Sequence, residues 1–113
     1  MSGYEVSAKE HGRHAKKYGV GFPSERAEKE FFKILSKVSK KERDRILEWF
    51  DKLAENPRPE GKSFKPLKGE IIIYQFLAQY RIREGHWRIL YDIDESKKRV
   101  VLLALRHRKE AYD

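Results

Sequence analysis

The apolar residues of this chain change their spacing once, near residue 57, and the change limits what it can fold into. Between Ser24 and Asn56 they recur every three or four residues, whereas between Ile71 and Leu105 they alternate. Helical period followed by strand period is the pattern of helices packed on a sheet, so the expected class is α+β.

Ser24 reads as an N-cap, with Glu25 and Glu28 in the first turn, where they complement the helix dipole. Ala27, Phe31, Ile34, Leu35 and Val38 share one face, which predicts a helix over 24–37. Ser39-Lys40-Lys41-Glu42 is a capping box for a second helix with Ile46, Leu47, Phe50, Leu53 and Ala54 on its apolar face, and Asn56-Pro57 ends it. The link at Val38-Ser39 is so short that the helices must fold back as an antiparallel hairpin. Trp49 stands either at the edge of that hairpin's core or in a groove for a partner.

A Pro/Gly loop through Pro57, Pro59, Gly61 and Pro66 leads to residues 71–83, where Ile72, Tyr74, Phe76, Ala78, Tyr80 and Ile82 predict one strand with a core face. Its other face becomes cationic at Arg81 and Arg83. After the turn Glu84-Gly85-His86, Trp87, Ile89, Tyr91 and Ile93 predict a second strand of the same kind. Val100 to Leu105 is apolar at both parities, as a strand buried on both sides and central in the sheet would be. Tyr18, Val20 and Phe22 alternate with Gly19 and Gly21 as a weak opening strand. The expected order is β-α-α-β-β-β, with a domain over 18–113. Residues 1–17 read as a basic extension, with Tyr4-Glu5-Val6 as an edge strand the second-ranked alternative.

At 113 residues one core is affordable and two are not. There is no cysteine, so disulfide frameworks and thiolate metal sites are excluded. The longest apolar run, near Ile71-Ile72-Ile73-Tyr74, is far too short for a membrane span, and the expectation is a soluble, cytoplasmic chain. The net charge of +8 suits nucleic acid, a membrane surface or an acidic partner. Residues 57–113 hold thirteen basic against eight acidic groups and residues 24–56 nine against eight, so the excess lies in the second half.

Several segments resemble one family. Val20-Gly21-Phe22-Pro23-Ser24-Glu25-Arg26-Ala27-Glu28-Lys29-Glu30-Phe31 is similar to the opening strand and helix start of the RelE/ParE superfamily of toxins from toxin–antitoxin pairs. Leu53-Ala54-Glu55-Asn56-Pro57-Arg58-Pro59 resembles the family's second-helix exit, and Lys65-Pro66-Leu67-Lys68-Gly69 its basic loop. The run from Tyr80-Arg81-Ile82-Arg83 to Leu90-Tyr91 looks like the hairpin "YRIRxGxYRVLY", and Arg106-His107-Arg108-Lys109-Glu110-Ala111-Tyr112 the closing "HRREVY". The resemblance covers about residues 18 to 113. It implies one of two activities, cleavage of messenger RNA in the ribosomal decoding site or poisoning of DNA gyrase, either held in check by an antitoxin.

Cleavage through the RNA's own 2′-OH needs that hydroxyl deprotonated, charge stabilised on the phosphate and a proton for the leaving oxygen, with no metal and no cofactor. Arginine suits the phosphate role through its planar fork. On the resemblance, the catalytic candidates are Arg83, Arg106, His107, Tyr112, Lys65 and Lys68, with the basic loop, the hairpin arginine and the closing segment converging on one phosphate. Imidazole as a residue type suits acid or base work near neutral pH, which makes His107 a chemically reasonable candidate, and a lysine would act as a base only with a lowered pKa. Arg81, Arg88, Arg108, Lys109, His86, Lys97 and Lys98 are the expected RNA contacts. Arg88 also has a structural reading, bridging to Asp92 or Asp94, and Lys97-Lys98-Arg99 reads as a solvated turn. His11 and His14 form an i,i+3 pair without a carboxylate cluster, so no metal site is expected. The expected function is a metal-independent, ribosome-dependent endoribonuclease toxin whose partners are an acidic antitoxin, the ribosome and mRNA. The alternatives are a non-enzymatic gyrase inhibitor and a degenerate member that retains antitoxin binding alone.

Overall fold

The computed structural model describes residues 17–110, so the reading of residues 1–16, including Tyr4-Glu5-Val6, and that of Tyr112 fall outside the described residues. In chain order the elements are β1 (Gly19–Gly21), α1 (Glu25–Leu35), α2 (Lys40–Glu55), β2 (Phe64–Pro66), β3 (Ile72–Ile73), β4 (Phe76–Leu77), β5 (Tyr80–Glu84), β6 (Trp87–Asp94) and β7 (Arg99–His107). The class is α+β, as the change of period requires.

Both helix starts follow their capping chemistry. Ser24 Oγ accepts the Ala27 N–H at 3.1 Å. Ser39 Oγ accepts the Glu42 N–H at 3.4 Å and its hydroxyl donates to Glu42 Oε1 at 3.3 Å, so this box closes between side chains. The helices cover one face of the sheet and bury Phe22, Phe31, Phe50, Ile46 and Leu53 against Ile82, Ile89, Tyr91, Val100, Leu102 and Leu105. Phe22 meets Phe31, Phe32 and Phe50 edge-on with centroids 5.3, 5.8 and 6.4 Å away, respectively.

The sheet departs from the expected three antiparallel strands. It has five in the order β1-β7-β6-β5-β2, with β1 parallel to β7 and the others antiparallel. The Pro/Gly loop supplies β2, where Pro66 is tolerated because an edge strand can forgo one N–H. β7 is buried on both faces as its composition predicts, but it lies next to the edge rather than at the centre, and β1 pairs with its first three residues alone.

The single strand expected over 71–83 is in fact three pieces. Tyr74 and Gln75 take φ of +52° and +67°, which turns the chain back within two residues and makes β3 and β4 a separate ribbon. The ribbon lies on the face opposite the helices, where Ile73 and Ala78 bury Leu90, Val101 and Leu103. Its outward side is apolar too, with Ile72 60% exposed, so the even-numbered residues of this segment do not share one core face.

Candidate functional site

Pleat parity decides which cations share a surface. Ile82 and Ile89 face the helices, so Arg81, Arg83 and Arg88 belong to the opposite face. The register sets Arg83 opposite Arg88 and Arg88 opposite Arg106. Uninterrupted alternation from Val100 would have turned Arg106 towards the helices. The irregularity between Leu90 and Tyr91 inserts one extra residue in β7, so Leu102 and Leu105 both face the helices while Arg106 joins the other two arginines.

Three arginines thus stand in one row across adjacent strands, roughly 10 Å from end to end at the usual strand spacing. Like charges directly opposed across a sheet repel, so such a row costs stability until something supplies counter-charge. Arg88 Nη1 donates to the carbonyls of Gly85 and Trp87, at 3.0 Å each, and is held over the β5–β6 turn. Among the described residues neither Arg83 nor Arg106 forms an ion pair or a side-chain hydrogen bond. Two residues down β5, Arg81 lies opposite Lys65, and its Nη1 donates to the Ser63 carbonyl at 3.0 Å.

The other candidates are distributed. Lys68 lies beyond β2, on an open hollow of about 470 Å³ shared with Lys65 and Gly69. Lys97 and Lys98 occupy the β6–β7 turn, roughly 20 Å along β6 from the row. The Lys98 ammonium lies 5.3 Å over the Tyr18 ring and 3.5 Å from Glu95. Arg99 is no part of a solvated turn: it opens β7 and is 7% exposed. Arg108 and Lys109 are exposed just past β7. His107 is carried by the bulge to the helix-facing parity opposite Trp87, away from the arginine row, and stacks on His86 with centroids 5.9 Å apart. Trp49 belongs to the core edge, its Nε1 donating to Glu84 Oε1 at 2.9 Å. No group of three metal-ligating side chains exists among the described residues.

Displaced titrations gather at the other end of the sheet. The hydrogen bond from Arg58 holds the Glu95 carboxyl below its usual range, and Tyr18 adds to this. Burial pushes the Asp92 carboxyl up, and burial likewise pushes the Tyr91 phenol up.

Sequence reasoning missed a hollow of about 240 Å³ beside the upper half of β7, lined by Glu30 and Ile34 of α1, by Ile73 and Tyr74 of the ribbon, and by Arg106. The signal for it was the shortness of the opening strand, which leaves this stretch of β7 without a strand neighbour among the described residues.

Residues 22–112 match the family model for the ParE toxin of the parDE type II toxin–antitoxin system. The chain belongs to the RelE/ParE toxins. This RelE/ParE chain is also similar to the archaeal RelE–RelB complex of Pyrococcus horikoshii OT3, with 28% identity, TM-score 0.64, and coverage of 84% of this chain and 99% of that one. The toxin–antitoxin complex RelBE2 of Mycobacterium tuberculosis matches with 26% identity, TM-score 0.60, and coverage of 86% and 98%. No curated protein matches. As a RelE/ParE member it is the toxin of a toxin–antitoxin pair, and the matched region includes α1, α2 and the whole arginine row. No helix among the described residues is long and apolar enough to cross a membrane.

Proposed function

We propose that this toxin is a metal-independent endoribonuclease that cuts mRNA on the ribosome, in the cytoplasm. The observation that carries the reading is the in-register row Arg83–Arg88–Arg106, in which two guanidiniums lack any acidic partner among the described residues. Backbone phosphates supply the counter-charge that Arg83 and Arg106 lack among the described residues, and a planar guanidinium gives each phosphate two hydrogen bonds. In the reaction the 2′-oxygen attacks phosphorus, the bond to the 5′-oxygen breaks, and the products are a 2′,3′-cyclic phosphate and a 5′-hydroxyl. Arg83 and Arg106 stabilise the charge on the phosphate. Lys65, beside Arg81 at the foot of the row, and Tyr112 are the candidates for moving protons, and Lys68, Arg108 and Lys109 extend the field that attracts RNA.

The antitoxin is an acidic chain, matched to the +8 charge of the toxin. Beyond Val101 the outer edge of β7 has no strand partner among the described residues and offers the antitoxin backbone for an added strand, with the hollow beside Ile34 and Tyr74 to take an apolar side chain.

A gyrase-inhibiting activity is the second reading. It is favoured by His107 lying off the arginine face, which leaves that face without an imidazole among the described residues. One experiment separates the two: purified protein is added to a translating extract, mRNA 5′ ends are mapped, and gyrase supercoiling is assayed in parallel. Codon-phased cuts with 5′-hydroxyl ends, lost in Arg83→Ala, are the expected result. Intact mRNA with blocked supercoiling would replace this reading by the second.

A further inference from the structure

We propose that His86 and His107 form a nucleobase platform at the end of the sheet, where one unpaired base of a bound RNA strand stacks on the outer face of His86. The inference rests on the RNA reading above and adds a base-binding subsite to its phosphate-binding row. The two rings are nearly parallel, 12° apart in plane with centroids 5.9 Å apart, and Trp87 meets His107 edge-on at 5.4 Å and 80°. His86 is exposed, and it contacts no ring but His107 among the described residues.

The backbone beneath His86 and the ring of His107 are held before any ligand arrives. The turn that carries His86 has two residues, with Gly85 at φ of +60°. A Cβ at Gly85 would come 2.7 Å from Glu42 Oε2, so the turn sits close against the start of α2. Arg88 donates to the Gly85 carbonyl on one side of His86, and Arg108 N–H donates to the His86 carbonyl at 2.8 Å on the other. His107 Nδ1 accepts the Lys109 N–H at 3.3 Å, which fixes the ring's rotation and leaves Nε2 to carry the proton of the neutral form. A turn and a ring ordered in this way have already met part of the entropic cost of stacking.

Position links the platform to the phosphates. Trp87 and His107 are register partners one rung beyond Arg88 and Arg106, about 3.4 Å further along the strands. A chain held by phosphates on the arginine row therefore passes the rim at which His86 is exposed. Only an unpaired base can present its face there, so the ligand is single-stranded RNA. Neither metal binding nor proton transfer at the row explains the pair, because no third ligand is at hand among the described residues and His107 has the wrong parity for the row.

The test uses the full chain and single-stranded hexaribonucleotides with 2-aminopurine at successive positions, titrated for affinity and for quenching at saturation. His86→Ala is expected to weaken binding roughly tenfold, within the range that stacking on one aromatic contributes, and to abolish quenching at one position. His86→Phe should restore both, because it keeps a ring and discards the charge. Arg83→Ala should weaken binding but keep the quenching at saturation. Wild-type affinity and quenching in His86→Ala would overturn the platform while leaving the phosphate row intact. Unchanged binding in Arg83→Ala and Arg106→Ala would instead overturn the RNA reading beneath it. A failed rescue by Phe, with polyglutamate binding weakened as much as RNA binding, would make His86 a charge contact for an acidic protein and end the proposal.

Discussion

Replacing Tyr91 by Phe tests how the strand-rich half is tied to the helices. The side chain is fully buried and its hydroxyl donates to the Pro57 carbonyl at 2.7 Å, joining β6 to the exit of α2. Phenylalanine keeps the ring and its packing, so the change isolates one buried hydrogen bond and strands one carbonyl. That should cost about 2 kcal/mol and lower Tm by roughly 8 °C for a domain of this size. The alkaline limb gives a second readout. Burial holds the folded phenol well above its usual value, so the unfolded chain loses this proton first. The contribution is therefore whole below about pH 10 and falls by about 1.4 kcal/mol per pH unit above it. Urea unfolding followed by circular dichroism at pH 7, 10 and 11 should show Tyr91→Phe less stable at pH 7 and flatter above pH 10. A variant within about 0.5 kcal/mol of the parent at pH 7, or with the parent's alkaline slope, would refute the reasoning.

Gln75→Gly should raise the urea midpoint, because a left-handed non-glycine residue costs roughly 1 kcal/mol and glycine's added freedom when unfolded returns only part of that; a lower midpoint would show that the Gln75 side chain holds the ribbon. Trp49→Phe should cost about 1–2 kcal/mol through loss of the bond to Glu84, with a matching coupling energy in a cycle with Glu84→Ala. Asp92→Asn should stabilise the fold at pH 7 and give no gain near pH 3: burial raises this carboxyl's folded pKa, so its charged form is the disfavoured one, and acid-induced unfolding followed in both proteins reads the difference. If RNA lies on the arginine row, Arg106→Ala should reduce the slope of log affinity against log salt by about one, measured by fluorescence anisotropy between about 50 and 200 mM salt.

The helices were legible because each signal was local. Ser24, Ser39 and Asn56-Pro57 mark their ends, and the apolar positions between them admit one period. The sheet was less legible because its two decisive features are not local. Ile71 to Ile82 reads as continuous alternation, and nothing in the residue types of Tyr74 and Gln75 announces a turn that normally selects Asn and Gly. Tyr74 packs against both cores, and this tertiary contact holds a backbone that local preference opposes. The bulge in β7 falls in a run apolar at both parities, where an extra residue leaves no trace in the pattern. Parity counted without it gives Arg106 and His107 each to the wrong face, so the candidate residues could be named from sequence but not sorted by surface.

The ribbon and the bulge act on the same face of the sheet, and together they decide what that face presents. Leu90, Val101 and Leu103 would form an exposed apolar stripe on a bare sheet, a surface that invites association. The ribbon buries them, and the part of the face left open is the part to which the bulge brings Arg106 beside Arg88 and Arg83. Arginines from three strands are thereby set side by side on one rim. The repulsion built into that row favours any ligand that brings two or more negative charges at the spacing of neighbouring strands. A polynucleotide backbone and an acidic antitoxin both satisfy that condition. On the proposed reading they would compete for the row, whereas the ring of His86, at the rim, would offer a base a stacking face that a carboxylate cannot use.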